Sequence, residues 1–267
     1  MYSAPVPSVS PAYLEPTLSA CIVLYNSGPR AAQTVRSFQE AAMPVELFVV
    51  DNAPGDSTMY RLRWQCPGLR YFAQSKNIGY GRANNVVIPK LTSKYHIICN
   101  PDVTFSGDLL TKMVQYMEVN RDCVILSPRV FFPDGREQFL PKRAPTLRYL
   151  LGGRLENLPG PFRDWRSDYT LRNIEVNVPT SVYFAPGCFM MIRTAVFRDM
   201  GGFDPQFFLY HEDSDLSRRA LRYGNIVYHP QFTVTHDWQR SSARSLRNAG
   251  RHIASTFKYF HKWGWEW

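Results

Sequence analysis

Short apolar runs alternate with helix-period segments through the first half of the chain, and that alternation constrains the fold more than any other feature. Strands joined by helical crossovers make a mostly parallel sheet flanked by helices, an α/β architecture of Rossmann-like type. SACIVLYN (Ser19 to Asn26) predicts a strand, AAQTVRSFQEAAM a helix with Val35, Phe38 and Ala42 on its inner face, and VELFVVDN a second strand ending in Asp51 and Asn52. GLRYFAQ predicts a weaker third strand, NIGYGRANNVVIPKL a glycine turn opening into a helix, and YHIIC a fourth strand. SGDLLTKMVQYMEV predicts a helix capped by Ser106 that buries Leu109, Leu110, Met113, Val114 and Met117. From about Pro133 to Pro179 periodicity fades and turn residues accumulate, as in a functional loop region or a disordered one. Order returns with CFMMIRTAVFRDMGGFD, a strand and a short helix capped by Thr194 and stopped at Gly201 and Gly202. HEDSDLSRRALRYG then predicts an acidic turn running into a helix with Leu216, Ala220 and Tyr223 inward, and NIVYHP and FTVTH predict two last strands.

The polar residues that close these strands carry the functional signal. In open parallel sheets ligands bind beyond the carboxyl ends of the strands, so Tyr25 and Asn26, Asp51 and Asn52, Asn77, and the run Asn100-Pro101-Asp102 converge on one site. Pro101 cannot donate to a sheet ladder, so the strand stops there and leaves Asp102 at the mouth of the site. A carboxylate in that place suits a hard divalent cation, Mg²⁺ or Mn²⁺, bridging phosphates; its alternative use is as a turn or cap residue. Asp51 at the end of a second strand also suits the ribose of a dinucleotide, but YNSGPRAAQ lacks the G-x-G-x-x-G turn and excludes a dehydrogenase. Glu212, Asp213 and Asp215 exceed what a helix cap needs and leave at least one acid for general-base work. His236 closes the strand FTVTH, which makes it a candidate metal ligand.

Composition bounds the classes. With 267 residues and 45% hydrophobic content the chain can bury a sizeable core, and no apolar run approaches the roughly 20 residues needed to cross a bilayer. Residues 1–18, with Pro5, Pro7, Pro11 and Pro16, predict a flexible extension and not a signal peptide. Five cysteines without C-x-x-C spacing predict reduced core thiols in a cytoplasmic protein. A formal charge of +9 predicts anionic partners.

The blocks VLYNSGP, VVDNAPGDS, NIGYGRANN, CNPDV, PGCFMMIR, GGFDPQFFLYHEDSDLSRRALRYG and HPQFTVTH, in this order, resemble glycosyltransferase family 2, the inverting, metal-dependent enzymes of the GT-A fold. The likeness is strongest to the bacterial rhamnosyltransferases of O-antigen and other surface-polysaccharide assembly. It implies a nucleotide-sugar donor, dTDP-rhamnose or another dTDP- or UDP-sugar, and a lipid-linked saccharide acceptor. It implies that Tyr25, Asn26, Asp51 and Asn52 contact the base and ribose, and that Asn77, Gly79, Arg82 and Asn85 line the nucleotide-sugar site. Asp102 is then the surviving acid of the family's D-x-D motif, with Asn100 in place of the first Asp, and His236 completes the metal site. Asp213, beside Glu212, is the implied catalytic base. On this reading residues 19–130 form a nucleotide-binding half, 131–238 an acceptor-binding half, and 239–267 a separate basic, aromatic helix.

That last segment carries Arg240, Arg244, Arg247, Arg251, Lys258 and Lys262. All six fall within roughly 60° of one helical face, with Leu246, Ile253, Phe257 and Phe260 on the other side. The pattern predicts either a core-packed helix or one lying on an anionic membrane surface, with Trp263, Trp265 and Trp267 at the headgroups on the inner face of the cytoplasmic membrane. A nucleic-acid partner is disfavoured, because Asp51, Asp102 and Asp213 would repel phosphates unless a cation intervened.

Overall fold

A computed structural model describes residues 17–53, 62–63, 66, 68–172, 174, 176–238 and 246–267. Most of the expected extension, Pro54 to Ser57 of the second strand's block, and Arg240 and Arg244 lie outside these residues, as do the side chains of Leu246 and Arg247.

A nine-stranded sheet runs through the molecule in the order β3-β2-β1-β4-β8-β6-β9-β5, with β7 paired to β9. Its strands are β1 (Leu18–Leu24), β2 (Glu46–Asp51), β3 (Arg70–Ala73), β4 (Tyr95–Cys99), β5 (Val103–Thr104), β6 (Cys123–Phe131), β7 (Thr180–Ser181), β8 (Phe189–Arg193) and β9 (Asn225–His236). β1 pairs in parallel with β2 and β4, β2 with β3, and β6 with β9; β8 lies antiparallel between β4 and β6, and β5 and β7 run antiparallel to β9. The sheet is therefore mixed: β1, β2, β3, β4, β6 and β9 point one way, and β5, β7 and β8 run against them.

The helices are α1 (Arg30–Gln39), α2 (Tyr80–Asn85), α3 (Leu109–Val119), α4 (Leu147–Leu155), α5 (Phe162–Tyr169), α6 (Thr194–Asp199), α7 (Glu212–Ala220) and α8 (Leu246–Trp263). Alternate residues of β1 enter opposite cores. Leu18, Ala20, Ile22 and Leu24 pack with Val35 and Phe38 of α1 and Met113 of α3, whereas Cys21 and Val23 pack with Phe48, Ile98, Phe197 and Leu216. Burial of both faces is why these strands read as unbroken apolar runs instead of alternating ones.

Several details differ from the sequence expectation. α1 stops at Gln39, so Ala42 is exposed beyond it. Asp108, not Ser106, takes the position before α3, and α6 begins at Thr194 itself, with no side-chain cap at either helix. Tyr223 follows the end of α7 and is exposed. β6, for which the pattern assigned no element, is a central strand, and NIVYHP and FTVTH are one strand whose register against β6 jumps between His229 and Thr233. The extra residues there form a bulge, which lets an apparent break in sequence belong to one strand. The aperiodic region holds α4 and α5, which pack on each other through Gly152, where a Cβ would lie 2.9 Å from Trp165. All five cysteines are buried and free. Among the described residues no helix is long and apolar enough to cross a membrane.

Candidate active site

The ends of β2 and β4 and the start of α7 bring three polar groups together. At the end of β2, Asp51 Oδ1 accepts from the Ala53 N–H at 2.9 Å and Oδ2 from the Tyr71 hydroxyl at 2.9 Å. Asn52 donates from Nδ2 to Asn77 Oδ1 at 3.0 Å and accepts from the Ile78 N–H at 2.9 Å, which fixes the turn before α2. Gly79 then passes so close to the Phe208 carbonyl that a Cβ would lie 2.4 Å from its oxygen. Tyr25 is half exposed beyond β1, and Asn26 follows it in a left-handed conformation at φ +50°.

The second group lies beyond β4. Asp102 Oδ1 is 3.3 Å from His236 Nε2, and Asn100 Nδ2 is 3.4 Å from the same nitrogen. His236 Nδ1 is 3.0 Å from Gln138 Oε1, and Gln138 Nε2 donates to the His236 carbonyl at 2.6 Å. The Gln138 amide oxygen at Nδ1 fixes the ring and turns Nε2 toward Asp102, the way a metal-binding histidine is oriented by the partner of its other nitrogen. Burial works to lower the His236 pKa, but Cys188 and Asp102 outweigh it and raise it to about 10. Asp102 Oδ1 is buried with no other hydrogen-bond partner. A buried carboxylate oxygen converging on an oriented imidazole fits a divalent cation, with the neutral Asn100 amide beside it. No cluster of three His, Cys, Asp or Glu ligands is present among the described residues. A cavity of about 240 Å³ opens beside Asp102, lined also by Arg30, Thr104 and Asp237.

The third group opens α7, after Tyr210 and His211, both left-handed at φ +71° and +63°. Asp213 Oδ2 accepts from the Gly187 N–H at 3.2 Å and Oδ1 from the Ser214 N–H at 2.8 Å. Burial lifts the Asp213 carboxyl above the ordinary aspartate range, while Lys142 and these N–H groups pull it back. Glu212 is buried with Oε2 unpartnered, and burial and Asp213 together push it up to about 8. Asp215 does structural work instead: it is fully buried and binds Arg219, Lys262 and the Trp263 indole N–H.

Hydrogen bonds tie the groups into one site. The Tyr80 hydroxyl, next to Gly79, donates to the Gly187 carbonyl at 2.7 Å, and the Asn100 N–H donates to the Cys188 carbonyl at 2.8 Å. The Gly187-Cys188 turn before β8 is thus the hub between the β2, β4 and α7 ends. Arg82 and Asn85 turn elsewhere: Arg82 donates to the Pro205 carbonyl and Asn85 holds both the N–H and the carbonyl of Phe203. Gln138 and Lys142 are site residues that sequence reasoning missed, since both lie in the aperiodic region.

Comparison with known proteins identifies the family and the fold. Residues 19–201 match the family model for "Glycosyl transferase family 2". Over 257 residues the chain is 26% identical to the N-acetylglucosaminyl-diphospho-decaprenol L-rhamnosyltransferase of Mycobacterium tuberculosis, covering 90% of this chain and 81% of that one. It is 27% identical over 198 residues to rhamnosyltransferase WbbL of Escherichia coli, covering 68% and 69%. Among solved structures, the mannosyltransferase PcManGT from Pyrobaculum calidifontis, in complex with GDP-Man and Mn²⁺, superposes with a TM-score of 0.62 at 15% identity, over 93% of this chain and 65% of that one. A fragment of S. aureus TarS in complex with UDP gives 0.57 at 16% identity, over 82% and 60%. This chain thus spans under two thirds of each of these solved chains, and the likeness to them establishes the fold, GT-A.

Proposed function

The chain belongs to glycosyl transferase family 2, and on that premise we propose that it is an inverting, metal-dependent hexosyltransferase that moves L-rhamnose from dTDP-rhamnose onto a hydroxyl of a lipid-linked saccharide in bacterial surface-glycan assembly. The rhamnosyl choice is supported by the two rhamnosyltransferases among its relatives, one named for a diphospho-decaprenol acceptor. A transferase using another UDP- or dTDP-sugar is the second reading, favoured by the UDP bound to the TarS fragment.

In this reading residues 19–130 hold the donor, with Asp51 and Asn52 at its base and ribose, and 131–238 meet the acceptor. A divalent cation, Mg²⁺ or Mn²⁺, bound by Asp102 and His236 would supply positive charge to the leaving diphosphate. Asp213 takes the proton of the acceptor hydroxyl as that oxygen attacks the anomeric carbon. The bond from that carbon to the diphosphate breaks on the opposite face, so the configuration inverts. Glu212, kept protonated through neutral pH, leaves Asp213 as the ionised member of the pair. The protein works on the inner face of the cytoplasmic membrane, where α8 meets anionic lipid.

The observation that supports the reading is the turn at Gly187 and Cys188, whose hydrogen bonds link Asp213 of α7, Tyr80 of α2 and Asn100 beyond β4. Asp213→Asn is expected to lower transfer by about 10²–10⁴-fold, the usual size of a general-base contribution, and to leave the dTDP-sugar affinity measured by calorimetry unchanged. Near-normal turnover of this variant would remove Asp213 as the base.

A further inference from the structure

Lys142 stands beside the site without a partner of its own kind. Its ammonium lies 4.4 Å from the centroid of the Phe184 ring and 5.8 Å from that of Tyr169. Among the described residues it makes no hydrogen bond and no ion pair, and it is only partly buried, so its three N–H donors are left unused. Its position is fixed from both sides. Its backbone bridges to Phe184, which leads into the Gly187 turn that holds Asp213, and the next residue donates from its N–H to the Tyr169 carbonyl at the end of α5.

Charges of both signs surround Lys142. Burial lowers the Lys142 pKa and Arg166 adds to that, while Asp213 opposes it. Burial also holds His211 down to about 3, with His252 and Lys142 contributing in turn. Arg154 Nη2 lies 3.4 Å from His252 Nδ1. Arg166 of α5 thus adds positive charge near Lys142 and Arg154 of α4 adds it near His252, while His252 of α8 is held toward its neutral form by burial and then by Arg154 and Lys142. Ring faces offset only part of an ammonium's lost hydration, and three unused donors above them call for an anion.

We propose that Lys142 binds the diphosphate of a lipid-linked acceptor and so selects diphosphate-linked saccharides over uncharged ones. The inference rests on the reading of Asp213 as the base. With the reacting hydroxyl at Asp213, the acceptor's sugar ring spans the gap, and the diphosphate on its far side meets Lys142. Without that cation, a diphosphate beside the ionised Asp213 would be repelled.

Two measurements test it on the full chain, using Lys142→Met, with Lys142→Arg as the charge-conserving control. Farnesyl diphosphate is titrated into protein already saturated with dTDP and Mn²⁺, with farnesol as the tail control. The methionine variant is expected to bind farnesyl diphosphate about 10- to 100-fold more weakly, the loss of a charged hydrogen-bond donor, with farnesol unchanged and the arginine variant close to wild type. Equal farnesyl diphosphate binding by wild type and Lys142→Met overturns the proposal, whether or not the protein transfers rhamnose. In transfer assays KM should rise more for N-acetylglucosaminyl-diphospho-farnesol than for farnesyl N-acetylglucosaminide, while loss of the positive charge beside Asp213 shifts the pH profile upward by the same amount with both acceptors. An equal loss on both acceptors assigns Lys142 only to holding Asp213 ionised and overturns diphosphate recognition.

Discussion

Gly79 shows how one position can serve both the fold and the candidate site. Its φ of +92° is costly for any residue with a Cβ, and a Cβ there would lie 2.4 Å from the Phe208 carbonyl oxygen, the same oxygen that accepts from the Tyr80 N–H at 3.1 Å. Gly79→Ala must shift that backbone, so it should lose about 1–3 kcal/mol in chemical denaturation and also weaken nucleotide binding by loosening the Asn52–Asn77 pair. A variant as stable as wild type would mean that the Phe208 carbonyl moves freely. Asp51, Asn52, Asn77 and Asp102 were legible in the sequence because each closes a strand or follows one closely, and strand ends of a parallel sheet share one edge. Gln138 was not legible: its partner His236 is 98 residues away, and no local period marks either its own place or its use. Lys142 was hidden for the same reason, since its chemistry depends on Phe184, Tyr169 and Asp213, which only tertiary packing assembles.

Elements differ in the same way. β1, β2 and β4 announce themselves as apolar runs buried on both faces, whereas β6 has Pro128 and Arg129 inside it and its period is broken by the bulge in β9. α8 is the sharper case. The helical wheel places its basic residues on one side and its apolar residues on the other, and the protein does not divide them that way. Tyr259 and Phe260 are buried against Phe207, Ser255 donates to the Leu209 carbonyl, and Lys262 reaches Asp204 and Asp215. Ile253 and Phe257 instead stand 56% and 63% exposed, with Trp265 against Phe257. α8 is therefore core-packed, and the side left for a membrane is apolar at its centre. Ile253→Asp with Phe257→Asp should reduce co-sedimentation with anionic liposomes at unchanged Tm, whereas Phe260→Ala should cost about 3–5 kcal/mol of stability. Liposome binding unaffected by the double substitution would end the role proposed for this face.

At the scale of the whole molecule, the buried ionisable groups set how stability changes with pH. Glu212, with an ordinary pKa of 4.5, is pushed up to about 8 by burial and then by Asp213, and Asp213 is raised in the same direction. Between those values the folded protein keeps a proton that the unfolded chain releases, so this contribution is fully present below pH 4.5 and is lost as pH rises through 8. His211 works in the opposite sense. Its ordinary value of 6.5 falls to about 3, chiefly through burial, so its contribution is present above 6.5 and is lost as pH falls through 3. The two slopes oppose one another across the mildly acidic range, and the wild-type profile alone cannot separate them. Glu212→Gln removes one slope and keeps the shape of the side chain. Its Tm minus that of wild type, measured without added metal, should stay constant below pH 4.5, climb as pH rises toward 8, and level off above it. A difference that does not change with pH would mean that Glu212 ionises in the fold as it does in water, and with it would go the protonated neighbour that leaves Asp213 as the ionised acid of the pair.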